Sequence, residues 1–86
     1  MNTAFILMAQ FGAKAVIPLE DVCREYFTHL SPDQFRRKIS AGEIEIPMVV
    51  LGNGQKAARG IALVDLASYL DRQCEIARKE FKKIRT

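Results

Sequence analysis

Apolar residues fill most of the first eleven positions, and the chain then changes rhythm three times before it ends. In "NTAFILMAQFG", Asn2 or Thr3 can cap a helix and Gly12 can stop it, which predicts an N-terminal helix within residues 1–13. That helix is apolar on nearly every side, so more than one of its faces must be covered. In a chain of 86 residues, which buries only about 60 to 65% of its unfolded surface, a second subunit is an expected cover. "AVI" reads as a short extended lead-in, and Pro18 suits the first turn of the next helix because its missing N–H would be unpaired there anyway. Leu19, Val22, Cys23, Tyr26 and Phe27 recur at steps of three and four, giving one buried face and an end near Thr28 and His29.

The strongest local signal is "LSPDQFRRKISAGEI". Ser31 can cap, Pro32 fits the first helical position, Gln34 completes a capping box, and Gly42 supplies a left-handed stop. The predicted helix has Phe35 and Ile39 inward and Asp33, Arg37 and Ser40 outward, flanked by Gln34 and Arg36. "EIEIPMVVLG" then alternates as an edge strand would, and "GIAL" is a second short strand. Between them "GNGQKAAR" makes a loop of about eight residues whose Asn53-Gly54 step can take positive φ. From Val64 onward, Leu66, Leu70, Cys74, Ala77, Phe81 and Ile84 follow the helical period, widened by Ala67 and Tyr69, as in a long helix that closes the core.

Composition adds limits. At 49% hydrophobic and 27% charged residues the chain reads as one ordinary domain, residues 1–86, without repeats or linkers. No apolar run approaches the roughly 18 residues of a membrane span, and "AFILMA" lacks the form of a signal peptide, so a cytoplasmic location is expected. Cys23 and Cys74 lack CxxC spacing and read as small residues of buried helix faces. No metal or cofactor is expected. Residues 31–75 balance six cations against six acids, so the excess behind the net charge of +3 sits in the tail "ARKEFKKIR", which sets five cations against Glu80. His29 is the only histidine and reads as a turn residue near Ser31 and Pro32, and Glu43 and Glu45 read as solvated acids pointing the same way from a strand start; catalysis is not expected.

Helix, tight turn and helix over residues 18–42 suit the docking of a second helix in the DNA major groove, although any antiparallel helical hairpin reads similarly. A hairpin over residues 44–63 that follows such a pair and precedes a packing helix over 64–84 reads as the wing of a winged-helix domain. Its glycines lie between strands with no Lys-Ser or Lys-Thr pair after them, unlike a nucleotide-phosphate loop; a solvated hairpin tip is the plainer alternative. The fold expected is mainly α with a small β-hairpin, a winged helix-turn-helix carrying an extra N-terminal helix. On that fold Arg37 is the best base reader, Gln34 and Ser40 are weaker ones, Arg36 and Lys38 suit phosphate, and Ser31 and Asp33 complete the recognition-helix set. In the wing, Lys56 and Arg59 would neutralise phosphates while Asn53 and Gln55 donate hydrogen bonds.

"IPLEDVCREYF", "SPDQFRRKISAGEIEIPMVV" and "GIALVDLASYLDR" resemble the MerR-like winged-helix domains of phage excisionases over about residues 16 to 75. A narrower resemblance, to the pyocin activator family of phage-related regulators, rests on "MNTAFILMAQFG", "AVIPLEDVCREYF", "HLSPDQFRRKISAGEIEIP" and "QKAARGIALVDLASYLD". That resemblance implies a DNA-binding transcriptional activator of bacteriocin-type genes, with double-stranded DNA and RNA polymerase as partners; a second or further copies of the chain are expected from the apolar first helix of so small a domain. An architectural, DNA-bending role and a protein-interaction adaptor that needs no DNA are the rival expectations.

Overall fold

The end signals read from the sequence set most of the helix boundaries. The computed structural model describes residues 2–54 and 56–85. Its helices are α1 (Thr3–Phe11), α2 (Leu19–Tyr26), α3 (Pro32–Ser40) and α4 (Leu63–Arg85), and its strands are β1 (Val16–Pro18), β2 (Val49–Leu51) and β3 (Ala58–Ala62). The Asn2 side chain accepts from the Ala4 amide at 3.0 Å, and α1 ends at Gly12, whose φ of 87° a side chain would disfavour. At α3 the capping box is complete: the Ser31 hydroxyl accepts from the Gln34 amide at 3.2 Å and the Gln34 side chain accepts from the Ser31 amide at 3.0 Å.

Four helices and a three-stranded antiparallel sheet make the fold mainly helical, and the sheet is larger than the expected hairpin. Val16 and Ile17 of the "AVI" lead-in belong to β1, which pairs with β3 so that the strand order is β1-β3-β2, with Ile17 opposite Ile61 and Val50 opposite Arg59. Pro18 ends β1 and stands as the N-cap of α2, one position before the helical turn that its residue type suggested. Helix α2 stops at Tyr26 rather than near Thr28 and His29, since Phe27 leaves helical φ to turn inward. Strand β2 is shorter than "EIEIPMVVLG" promised. Residues 44–48 are irregular because Ile46 is buried, Ile44 and Met48 pack on the core, and the Glu45 carbonyl accepts from Arg72 Nη2 at 3.1 Å. Glu43 and Glu45 therefore do not project from a strand. In the loop, positive φ falls on Gly52 (100°) and Gly54 (81°) and not on Asn53.

Phe35, Leu7, Ile17, Ile61, Leu66 and Val22 are wholly enclosed, so the core lies between the sheet, α2, α3, one side of α1 and the first turns of α4. Phe27 stacks on Phe35 with ring centroids 4.4 Å apart and lies 6.0 Å from Tyr69, which joins α2, α3 and α4 through aromatic faces. The buried Cys23 thiol donates to the Leu30 carbonyl at 3.2 Å and so ties α2 to the turn before α3. Tyr26 donates to the Gln10 side-chain oxygen at 2.5 Å and packs on Phe11, holding α1 against α2.

Within the single chain α1 buries only Leu7 and leaves Phe5, Ile6 and Met8 exposed. The burial expected of α4 is corrected. In α4, Leu63, Leu66 and Ala67 are buried and Tyr69 and Leu70 partly so, but every residue from Asp71 to Arg85 is exposed, Cys74 among them. The stripe from Cys74 to Ile84 has no core to close, because α4 outruns the domain it begins in; the molecule measures 51 Å along its long axis against 28 and 18 Å across.

Phe35→Ala is expected to destabilise the fold by about 3–5 kcal/mol, as a truncation in a closed core, visible as a lower midpoint in urea unfolding. Gly60→Ala should destabilise by about 1–3 kcal/mol in the same measurement. A Cβ on Gly60 would stand 2.6 Å from the Ile17 carbonyl oxygen and from Val16 Cγ1, so β1 and β3 would have to separate.

Candidate nucleic-acid interface

The register of the sheet decides where the hairpin loop stands. Central strand β3 runs from the loop into the core, with Gly60 and Ile61 buried, and its outer end, Ala58 and Arg59, lies beside the first turn of α3. Between them is an open groove of about 380 Å³. Pro32, Asp33 and Arg36 form one wall, residues 56–59 the other, and Leu19 and Glu20 of α2 close the end. Phe35, next to Arg36, and Ile39, one turn on, are buried, so anchoring α3 in the core turns its polar side outward.

One carboxylate organises the cations of α3. Asp33 accepts from Arg36 Nη2 at 2.6 Å through one oxygen and from Arg37 Nε at 2.9 Å through the other, with Arg37 Nη2 forming a second bond to that oxygen. Hydrogen bonds from Arg36 and then Arg37 hold the Asp33 carboxyl below the usual carboxylate range. Side chains of all three are at least a third exposed, so the cluster fixes direction more than it adds stability. Lys38 lies 3.9 Å from Glu43, beyond the end of the helix.

The expected site residues therefore separate by placement. Arg36, Lys56 and Arg59 line a single groove with Asp33, and Arg37 reaches the same carboxylate from α3's exposed side. Ser31 and Gln34 spend their side-chain groups on the capping box, which leaves them less to offer a ligand. Ser40 is exposed at the last turn of α3 and Asn53 is exposed in the loop; neither lines the groove. Gln55 lies outside the described residues. Sequence periodicity put Arg36 on a flank, but that flank is the one facing the hairpin. Nothing in the sequence marks Glu20 as a site residue, since only the proximity of the α2 start to the hairpin brings it into the groove; as an acid in the first turn of α2 it also suits the helix dipole.

This combination offers cations of fixed spacing on an open surface. A planar guanidinium can meet a phosphate or a guanine edge in bidentate fashion, and lysine serves as a point charge. Among the described residues no cluster of histidine, cysteine or acids has metal-binding geometry, and no helix is long and apolar enough to cross a membrane.

Comparison with known proteins places the chain in a family. The family model described as pyocin activator protein PrtN matches residues 3–77, which takes in every element up to the middle of α4. No curated protein and no solved structure matches the chain significantly. With most of its length covered by the family model, the chain belongs to the pyocin activator family, a family of regulators of pyocin genes.

Proposed function

We propose that this chain is a single winged helix-turn-helix domain that activates transcription of pyocin-type genes by binding double-stranded DNA, with α3 in the major groove and the β2–β3 loop on the adjoining backbone. The observation that carries the reading is the shared groove, where Arg36 of α3 and Lys56 and Arg59 of the hairpin converge from elements far apart in sequence. A helix held by a two-residue apolar anchor, with its charged side outward and a basic loop beside it, fits the way a recognition helix and a wing grip one duplex. Membership of the pyocin activator family supports the regulatory part of the reading.

Within it, Arg37 reads a base and Arg36, Lys38, Lys56 and Arg59 hold phosphates. Ser31 and Gln34 act chiefly by fixing the start of α3, while Ser40 and Asn53 make secondary contacts and Gln55 is assigned to the wing. Asp33 has two consequences that oppose each other. It orients Arg36 and Arg37, which favours selectivity, and it brings negative charge toward the backbone, which weakens indiscriminate binding. A regulator active on chromosomal DNA works in the cytoplasm, with RNA polymerase as the partner to which activation is passed.

Fluorescence anisotropy with DNA from the chain's own genomic neighbourhood tests this reading. Arg37→Ala is expected to weaken binding to the cognate site by about 1–3 kcal/mol and binding to random DNA much less. Lys56→Ala and Arg59→Ala should weaken both alike, each reducing the slope of log affinity against log salt by about one. No measurable binding to either DNA at low salt would overturn the reading.

Asp33→Asn should instead tighten binding to random DNA, steepen its salt dependence and narrow the margin for the cognate site. The same variant has a stability consequence. Because the folded-state pKa of Asp33 lies below its unfolded value, its contribution is present above the unfolded pKa, ~3.9, and fades as pH falls through the lower folded value. Urea unfolding of Asp33→Asn should therefore differ from that of the native chain at neutral pH and converge with it in acid.

A further inference from the structure

The apolar residues of α4 that leave the domain are spaced for another helix. Leu63, Ala67, Leu70, Cys74, Ala77, Phe81 and Ile84 alternate at steps of four and three, a heptad pattern with apolar residues at both of its inner positions. The first three belong to the domain's own core, whereas Phe81 is 56% and Ile84 83% exposed, on a projection of residues 71–85 about 22 Å long at 1.5 Å per residue. An isolated helical arm of that length with an apolar seam is marginal by itself. The seam is continuous with the stripe that the chain already buries, so what fits it is a second helix of the same spacing.

We infer that α4 pairs with α4 of a second copy in an antiparallel coiled coil, with Cys74 of each copy packed against Ala77 of the other and Leu70 against Phe81. Charge favours this register. It sets Asp71 opposite Arg78 of the second copy, twice by symmetry, and brings no like charges together. A shift by one heptad would leave Leu70 unmatched and oppose Arg78 to Arg78 and Glu80 to Glu80. Asp71 already accepts from the Thr3 hydroxyl at 2.5 Å, and a carboxylate has lone pairs for an arginine as well. Among the described residues, Arg78 is engaged by Glu75 at 3.5 Å in an exposed pair of the same helix, which an intermolecular partner can displace.

Direction follows from where the domain sits. A parallel pair would also gain a contact, Glu80 with Arg85 of the second copy. But the domain packs on the same stripe, at Leu63, Ala67 and Leu70, so two parallel helices would bring both domains to one end on facing sides. The antiparallel pair puts them at opposite ends. The small residues Cys74 and Ala77 then meet at the centre, where the helices can approach closely, and Phe81 and Ile84 of each copy reach the point where the other α4 leaves its core. Ile76, 49% exposed, lies off the seam and takes no part.

The test uses the full chain without DNA, so it stands or falls separately from the DNA-binding reading. Sedimentation equilibrium is expected to show a dimer at micromolar concentrations, and Phe81→Glu to weaken association by roughly two orders of magnitude while the far-UV spectrum and cooperative melting of the domain persist. Arg78→Glu should weaken the dimer and Asp71→Arg in the same chain restore it. For direction, wild-type protein mixed with the Cys74→Ala, Ala77→Cys variant should form a disulfide-linked heterodimer under mild oxidation, Cys23 being buried in the core. The Cys74→Ala, Ile84→Cys variant alone should remain uncrosslinked, since position 84 of one copy stands far from position 84 of the other in antiparallel helices. A wild-type monomer throughout the range, which would leave the seam to a different protein, overturns the inference, and so does a disulfide between two copies of the Cys74→Ala, Ile84→Cys variant, the mark of parallel helices.

Discussion

The stack of Phe27 on Phe35 is the contact on which the rest of the arrangement depends. Phe35 is the one large side chain that α3 sinks completely into the core, and its neighbours on the helix wheel follow from that single commitment. With Phe35 and Ile39 inside, Asp33 and Arg37 must be outside and Arg36 must face the hairpin. Phe27 can meet Phe35 only because the chain leaves α2 at that residue, and the Cys23 thiol holds the turn that follows. A nine-residue helix supported in this way needs little propensity of its own; its caps begin it and its aromatic anchor keeps it in place.

The sheet makes the second constraint. Strand β3 serves two neighbours, and Gly60 is the residue at which β1 comes close enough for any side chain to collide with its backbone. That close approach fixes β3 against the start of α2, and the loop before β3 is carried with it to the side of α3. The cations of the groove are therefore positioned by backbone pairing on one side and by an aromatic core on the other, both rigid elements. Asp33 adds the electrostatic part, drawing two guanidinium groups of one helix to a single carboxylate and so limiting where they can point.

An 86-residue chain that projects part of its last helix beyond its own core has left apolar surface unburied that its size could ill spare. The exposed positions on α1 and α4 lie outside the groove, so the face proposed for DNA and the seam proposed for a second copy do not compete for the same residues. Self-association and nucleic-acid binding can act together on such a molecule, since a symmetric pair presents two equivalent grooves.

The helices were legible in the residues because their signals are local. A cap such as Ser31 with Gln34, a stop such as Gly42, and the three-four spacing of Phe35 and Ile39 each act within one or two turns, and all of them hold in the structure. The family was legible too, in "NTAF" and "QKAARG". What tertiary structure alone decided is which apolar residues find a partner and which strands pair. "AVI" contains nothing to announce its pairing with β3, because the register depends on a close approach at Gly60, more than forty residues away. Periodicity likewise cannot tell a stripe that meets the core from one that runs past it: Leu66 and Cys74 share a face of α4, yet one is enclosed and the other open, since burial depends on where the rest of the chain ends in space.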